Sequence, residues 1–188
     1  MEPLCVGKVG EYMIVREWAM PNSKTFKIKP IKELIENELV NGIIIDPFAN
    51  EHSIKSIMTG NQKYITNDID VNFDTDYHME ALEFLKMFQD NSVDMVLYDP
   101  PYSPRQISEC YKKVGQVVNM QTTQSSYWSN QKKEIARILK PNGKVITFGW
   151  NSGGIGKSNG FVTTKIMLVA HGGWHNDTIC TVERKLKD

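Results

Sequence analysis

Cysteine is scarce in this chain. Cys5, Cys110 and Cys180 are far apart and odd in number, which argues against a disulfide framework and a cysteine-bound zinc and points to a reducing, cytoplasmic setting. Histidine offers no metal site either. His171 and His175 stand four apart, but Gly172 and Gly173 between them oppose the helix that would bring them to one face, so no metal is expected. No apolar run approaches the roughly 20 residues of a membrane span, and Met1-Glu2-Pro3-Leu4-Cys5 lacks the basic and apolar regions of a secretory signal. No membrane partner is therefore expected. Net charge is missing as well: 22 basic residues balance 22 acidic ones, which counts against a binder held to nucleic acid by charge alone. Local clusters remain, with Lys24, Lys27, Lys29 and Lys32 early and Lys112, Lys113, Lys132, Lys133 and Arg137 later. No repeat, low-complexity tract or linker interrupts the 188 residues, so 1–188 reads as one domain.

What is present is a run dense in apolar residues that stops abruptly. Val93-Asp94-Met95-Val96-Leu97-Tyr98 leads into Asp99-Pro100-Pro101-Tyr102. The run reads as a strand of a parallel sheet, covered on both faces, so that alternation is lost. Two prolines cannot continue a ladder. Asp99 therefore sits at the carboxyl end of a strand, where open α/β sheets bind ligands. A carboxylate, the carbonyl of Pro100 and the flat ring of Tyr102 suit a planar ligand that bears an exocyclic amine.

The rest of the chain repeats the pattern. Tyr12-Met13-Ile14-Val15 is a candidate short strand, and Trp18 to Ser23 reads as a loop. Pro30 suits a first helical turn, and Ile31, Leu34, Ile35 and Leu39 predict an amphipathic helix over 30–40. Ile43-Ile44-Ile45 is a second buried strand ending in Asp46-Pro47-Phe48. A short helix is expected over 51–60, then a strand from Lys63 that ends at Asp68. An acid about 20 residues beyond the first turn is where doubly wound folds hold ribose hydroxyls; Asp70 is the alternative. Met79, Leu82, Phe84, Leu85 and Phe88 predict a helix over 78–89. Further helices are expected over 104–114 and 127–139, with a polar surface loop at 116–126. Pro141-Asn142-Gly143 reads as a turn before a strand over 144–149. The glycines from Gly153 to Gly160 lack the spacing of a nucleoside triphosphate loop, since Asn151 stands where its first glycine is needed; they read as a mobile loop. Phe161 to Ala170 and Asp177 to Lys185 are expected as an antiparallel hairpin.

Asp99-Pro100-Pro101-Tyr102 resembles the signature of the S-adenosylmethionine-dependent amino-methyltransferases, chiefly those acting on N6 of adenine in DNA. Asp46-Pro47-Phe48 resembles the family's first cofactor strand, Thr25 to Ile31 its Lys-Pro element, and Glu80-Ala81-Leu82-Glu83-Phe84-Leu85 its Asp-Ala-x-x-x-Leu segment. The resemblance covers about 25–185. It departs at Ala49-Asn50-Glu51-His52, where the family has glycines.

The resemblance implies a Rossmann-like class I methyltransferase fold, α/β, with a mostly parallel doubly wound sheet closed by the hairpin. It implies S-adenosylmethionine as cofactor, S-adenosylhomocysteine as product, and Phe26, Lys29, Asp46, Pro47, Phe48, Asp68 and Glu80 as cofactor contacts, with Asp76 the alternative to Glu80. Asp99, Pro100, Pro101 and Tyr102 would carry the chemistry on a base flipped from duplex DNA, and Tyr102, Arg105 and Gln106 would touch the substrate. No recognition domain fits in the chain, so a homodimer or an accessory partner would serve target choice. RNA adenine, cytosine N4 and protein amides remain open as substrates, as does a non-catalytic remnant of the fold.

Overall fold

The computed structural model describes residues 4–9, 12–51, 54–115 and 126–187, with side chains from residue 12 onward. Eight strands form one sheet among the described residues: β1 (Leu4–Val9), β2 (Tyr12–Trp18), β3 (Gly42–Asp46), β4 (Gln62–Thr66), β5 (Val93–Tyr98), β6 (Leu139–Gly149), β7 (Phe161–Ala170) and β8 (Thr178–Lys185). Their order is β1-β2-β7-β8-β6-β5-β3-β4. β4, β3, β5 and β6 are mutually parallel. β8 runs antiparallel between β6 and β7, so the expected hairpin closes the parallel half. Among the described residues four α-helices accompany the sheet: α1 (Lys29–Glu38), α2 (Ala81–Lys86), α3 (Pro104–Lys113) and α4 (Ser126–Ile138).

β5 shows why it was legible. Its side chains alternate in direction, yet both sides are apolar because both faces of the sheet are covered. Met95 and Leu97 join Ile44, Ile146 and α1's Ile31, Leu34 and Ile35 on one face. Val96 and Tyr98 join Ile45, α2's Phe84 and Leu85, and α4's Ile135 and Ile138 on the other. The start of β3 depends on a glycine. Gly42 takes φ 103°, and a Cβ there would lie 2.2 Å from the carboxylate of Asp94, which accepts from the Ile43 N–H and from Lys140.

Several expectations need correction. The helix over 51–60 does not form: the described part holds only a 3-10 turn at Lys55–Ile57, with Ile54 alone fully buried. One buried residue is no amphipathic face. α2 starts three residues later than periodicity implies. The backbone before it is taken by side chains, as Met79 N–H donates to Asn67 Oδ1 and Thr66 N–H to Asp76. β6 begins at Leu139, because the Pro141-Asn142-Gly143 turn is absorbed as a bulge: Val93 pairs with Leu139, but Met95 already pairs with Lys144. β2 runs on through Trp18, and β1 has no counterpart in the sequence reading. The glycine stretch is anchored, since Ile155 N–H (2.6 Å) and Gly156 N–H (3.0 Å) donate to the buried carboxylate of Glu183. The expected loop at 116–126 lies almost entirely outside the described residues.

Candidate active site

The carboxyl ends of β3, β4, β5 and β6 open on one cavity of about 650 Å³. Asp99 and Pro100 stand on its wall where β5 stops, and Trp150 where β6 stops. The turn after β5 is held from two helices. Tyr102 N–H donates to Gln106 Oε1 of α3 at 2.5 Å, and Trp128 Nε1 of α4 donates to the Pro101 carbonyl at 2.9 Å. α3 itself starts on Ser103, whose hydroxyl accepts from Gln106 N–H (3.3 Å), with Pro104 in the first turn.

Within that turn the Tyr102 hydroxyl donates to Asp99 Oδ1. Burial pushes the Asp99 carboxyl above the usual carboxylate range, while hydrogen bonds from Tyr102 and Thr25 pull the other way. The Tyr102 ring meets Trp150 edge-on, with centroids 5.6 Å apart. The arrangement is a buried carboxyl beside two aromatic rings.

The other half of the cavity is built by the loop after β3 and the end of β4. Asn50 adopts φ 51°, the left-handed region that Asn tolerates better than most residues. Its N–H donates to Asp68 Oδ2 at 3.0 Å. Glu51 pairs with Lys24 across the mouth, with Lys27 at 3.9 Å, and the Lys24 hydrogen bond holds its carboxyl below the ordinary value. Asn67, fully buried, staples the region: its amide donates to the carbonyls of Pro47 (3.1 Å) and Met79 (3.0 Å). Burial raises Asp68, opposed by the N–H groups of Asp70 and Asn50. Among the described residues no His, Cys, Asp and Glu group is placed to hold a metal ion, and no helix is long and apolar enough to cross a membrane.

No protein-family model matches the chain, and no curated protein matches its sequence. Solved structures do match its shape. TrmN from Thermus thermophilus is 15% identical with a TM-score of 0.56, over 85% of this chain and 49% of that one; this chain spans about half its length. The Burkholderia thailandensis 1,6-didemethyltoxoflavin-N1-methyltransferase, solved with 1,6-didemethyltoxoflavin and S-adenosylhomocysteine bound, is 8% identical with a TM-score of 0.58, over 85% and 78%. The precorrin-6y C5,15-methyltransferase from Geobacter metallireducens is 12% identical with a TM-score of 0.58, over 91% and 95%. The chain has the Rossmann-like methyltransferase fold.

On this methyltransferase fold the residues singled out from sequence divide into three groups. Phe26, Pro47, Phe48, Asp68, Glu80, Asp99, Pro100, Pro101, Tyr102 and Gln106 all line the one cavity. Asp46 lies beneath it, fully buried. Its oxygens accept from Phe48 N–H (3.1 Å) and Tyr64 hydroxyl (2.8 Å), and burial pushes its carboxyl up to about 8. It shapes the cavity's floor from below. Lys29 and Arg105 stand away from the cavity, exposed and paired with Glu33 and Glu109 on their own helices. Of the two alternatives, Asp70 lines the cavity, whereas Asp76 spends its carboxylate on Thr66. Sequence reasoning missed Lys24, Glu51, Asn67, Trp150 and Trp174. The stretch Ala49-Asn50-Glu51-His52 stood out only as a departure from the resemblance.

Proposed function

We propose that this chain transfers a methyl group from S-adenosylmethionine to the exocyclic N6 of adenine in DNA. The observation that carries the reading is that Asp99, Pro100 and Tyr102 share one cavity with Phe48, Glu51, Asp68 and Glu80. An amine-gripping end and an end suited to a nucleoside with a charged tail are thereby joined. The donor set fits the cofactor. Asp68 offers an acceptor for ribose hydroxyls, Glu80 an acceptor near the cofactor adenine, Phe48 an apolar wall, and the Lys24–Glu51 pair opposite charges for an amino-acid zwitterion. When bound, the cofactor supplies an electrophilic methyl group on sulfur.

The chain's own residues do the rest. Target adenine leaves the stack at a cost of a few kcal/mol, and the Tyr102 ring stacks on it, returning roughly 1–3 kcal/mol. The amine then displaces the Tyr102 hydroxyl from Asp99. Asp99 and the Pro100 carbonyl accept hydrogen bonds from the two N6 hydrogens, which draws the nitrogen toward tetrahedral geometry and frees its lone pair for attack, one proton leaving only after the methyl group has moved. The buried carboxylate is a fixed dipole aimed at the growing positive charge on nitrogen, and Asp99 relays the proton lost after transfer to water. Alignment of the two reactants accounts for most of the acceleration. A second copy or an accessory protein serves target choice.

The test is labelled methyl transfer into DNA, RNA and protein, followed by sequencing of methylated adenine in DNA from a host expressing the chain. Label in DNA that disappears in Asp99→Ala while S-adenosylhomocysteine still binds is the expected result. Label confined to RNA or protein would overturn the substrate assignment, and failure to bind the cofactor would overturn the enzyme.

A further inference from the structure

The connection between β7 and β8 leaves the carboxyl end of β7, on the same edge of the sheet as Asp99 and Trp150. Its base is locked. The ring of buried His171 bridges the Ala19 carbonyl and the Thr178 hydroxyl, both at 2.9 Å, and His171 N–H donates to Asp177 at 3.1 Å. Above that base Gly172 and Gly173 take φ 67° and 61° in succession, a pair of left-handed residues that reverses the chain. Trp174 follows and is 103% exposed, although it stands on the rim of the cavity that holds Asp99.

A single bare indole on a protein surface needs no explanation. This one has apolar company. Trp150 (42%), Trp18 (63%) and Met20 (68%) are also exposed large hydrophobics; a Cβ on Gly172 would lie 3.6 Å from the Trp18 indole nitrogen. Charge supplies the second consideration. With 22 basic and 22 acidic residues, the chain has no net positive charge to add to phosphate contacts from its local basic clusters. Contact with the bases has to contribute more, and a flat apolar side chain makes it.

We infer that Trp174 is a wedge that enters the base stack and fills the gap left when the target adenine is drawn down to Asp99. The inference rests on the DNA reading above. Architectural and base-flipping proteins hold an opened stack with inserted apolar side chains; here a rigid loop base and a glycine-built tip present the indole at the mouth of the cavity. The wedge acts only where a paired stack must be held open, and this separates it from a general contact.

The experiment compares wild type, Trp174→Ala and Trp174→Phe on two oligonucleotide duplexes carrying the methylated sequence found in host DNA. In one the target adenine faces thymine, and in the other it faces an abasic site, where opening is already cheap. Trp174→Ala should lose about tenfold or more in kcat/KM on the paired duplex and under about threefold on the abasic one, with Trp174→Phe close to wild type on both. Equal loss on both duplexes, or no loss on either, overturns the wedge while leaving the methyltransferase reading intact. Absence of wild-type transfer to either duplex overturns both together.

Discussion

The hydroxyl of Tyr102 donates to the Asp99 carboxylate, and this contact works against burial in setting how the site responds to pH. Burial favours the neutral carboxyl, and the hydrogen bond favours the anion. Transfer requires the anion, which alone leaves both oxygens free to accept. The rate should therefore rise with pH through an acid limb lying above the ordinary carboxylate range. Tyr102→Phe removes the contact that stabilises the charge, so its limb should move to higher pH, beyond any drop in the plateau; a limb that stays in place would show that Asp99 is not the group being titrated. The measurement is kcat/KM for labelled transfer between about pH 5 and 9. Asp46 carries the opposite lesson. Its carboxyl, pushed up to about 8 in the fold, contributes stability that is full below the unfolded value near 4 and is lost as pH rises toward 8. Asp46→Asn should remove that decline in a denaturation series, because its origin is the burial of the carboxyl, which the Tyr64 and Phe48 hydrogen bonds only partly offset.

At the scale of the element, the loop from Ala49 to Glu51 is held by contacts of its own. Asn50 takes the left-handed turn and Asp68 receives its N–H; Glu51 then reaches Lys24 across the opening. An exposed pair of this kind does little for folding, and its value lies in the two charges it offers. Lys24→Ala and Glu51→Ala should each weaken S-adenosylhomocysteine by about tenfold in calorimetry, the scale of one charged hydrogen bond, with the melting temperature unchanged. Binding of methylthioadenosine, which lacks the amino-acid tail, should be unaffected. A parallel loss of methylthioadenosine would relocate the pair's role to the shape of the loop.

In the whole molecule, α1 is tied to the sheet by apolar packing and by an ionic junction. Glu38, at the end of α1, meets Lys144 of β6 at 2.8 Å and Lys165 of β7 at 2.9 Å. Burial works against its charge, yet the two lysines hold the carboxyl below its ordinary value. The stabilisation is present above the unfolded pKa near 4.5 and fades as pH falls through the folded one. Glu38→Gln leaves two half-buried ammonium groups without an anion and should cost on the order of 1–3 kcal/mol near neutrality. Its denaturation midpoint should converge on that of wild type at acid pH.

Residues close in sequence carried what could be read in advance. The apolar run from Val93 to Tyr98 and the abrupt Asp99-Pro100-Pro101-Tyr102 announced a buried strand and its functional end, because both are local facts: side-chain periodicity and the inability of proline to extend a ladder. Asp46 was recognised by the same rule, but its depth was not, since burial depends on Tyr64 arriving from the neighbouring strand. The pairing of Lys24 with Glu51, the tie of Asn67 to Pro47 and the meeting of Trp150 with Tyr102 join positions tens of residues apart. No window of sequence contains such neighbours; they exist only once parallel strands bring every carboxyl end to the same edge of the sheet. Composition and pattern determined which chemistry the chain could perform, and the tertiary fold decided which side chains stand close enough to perform it.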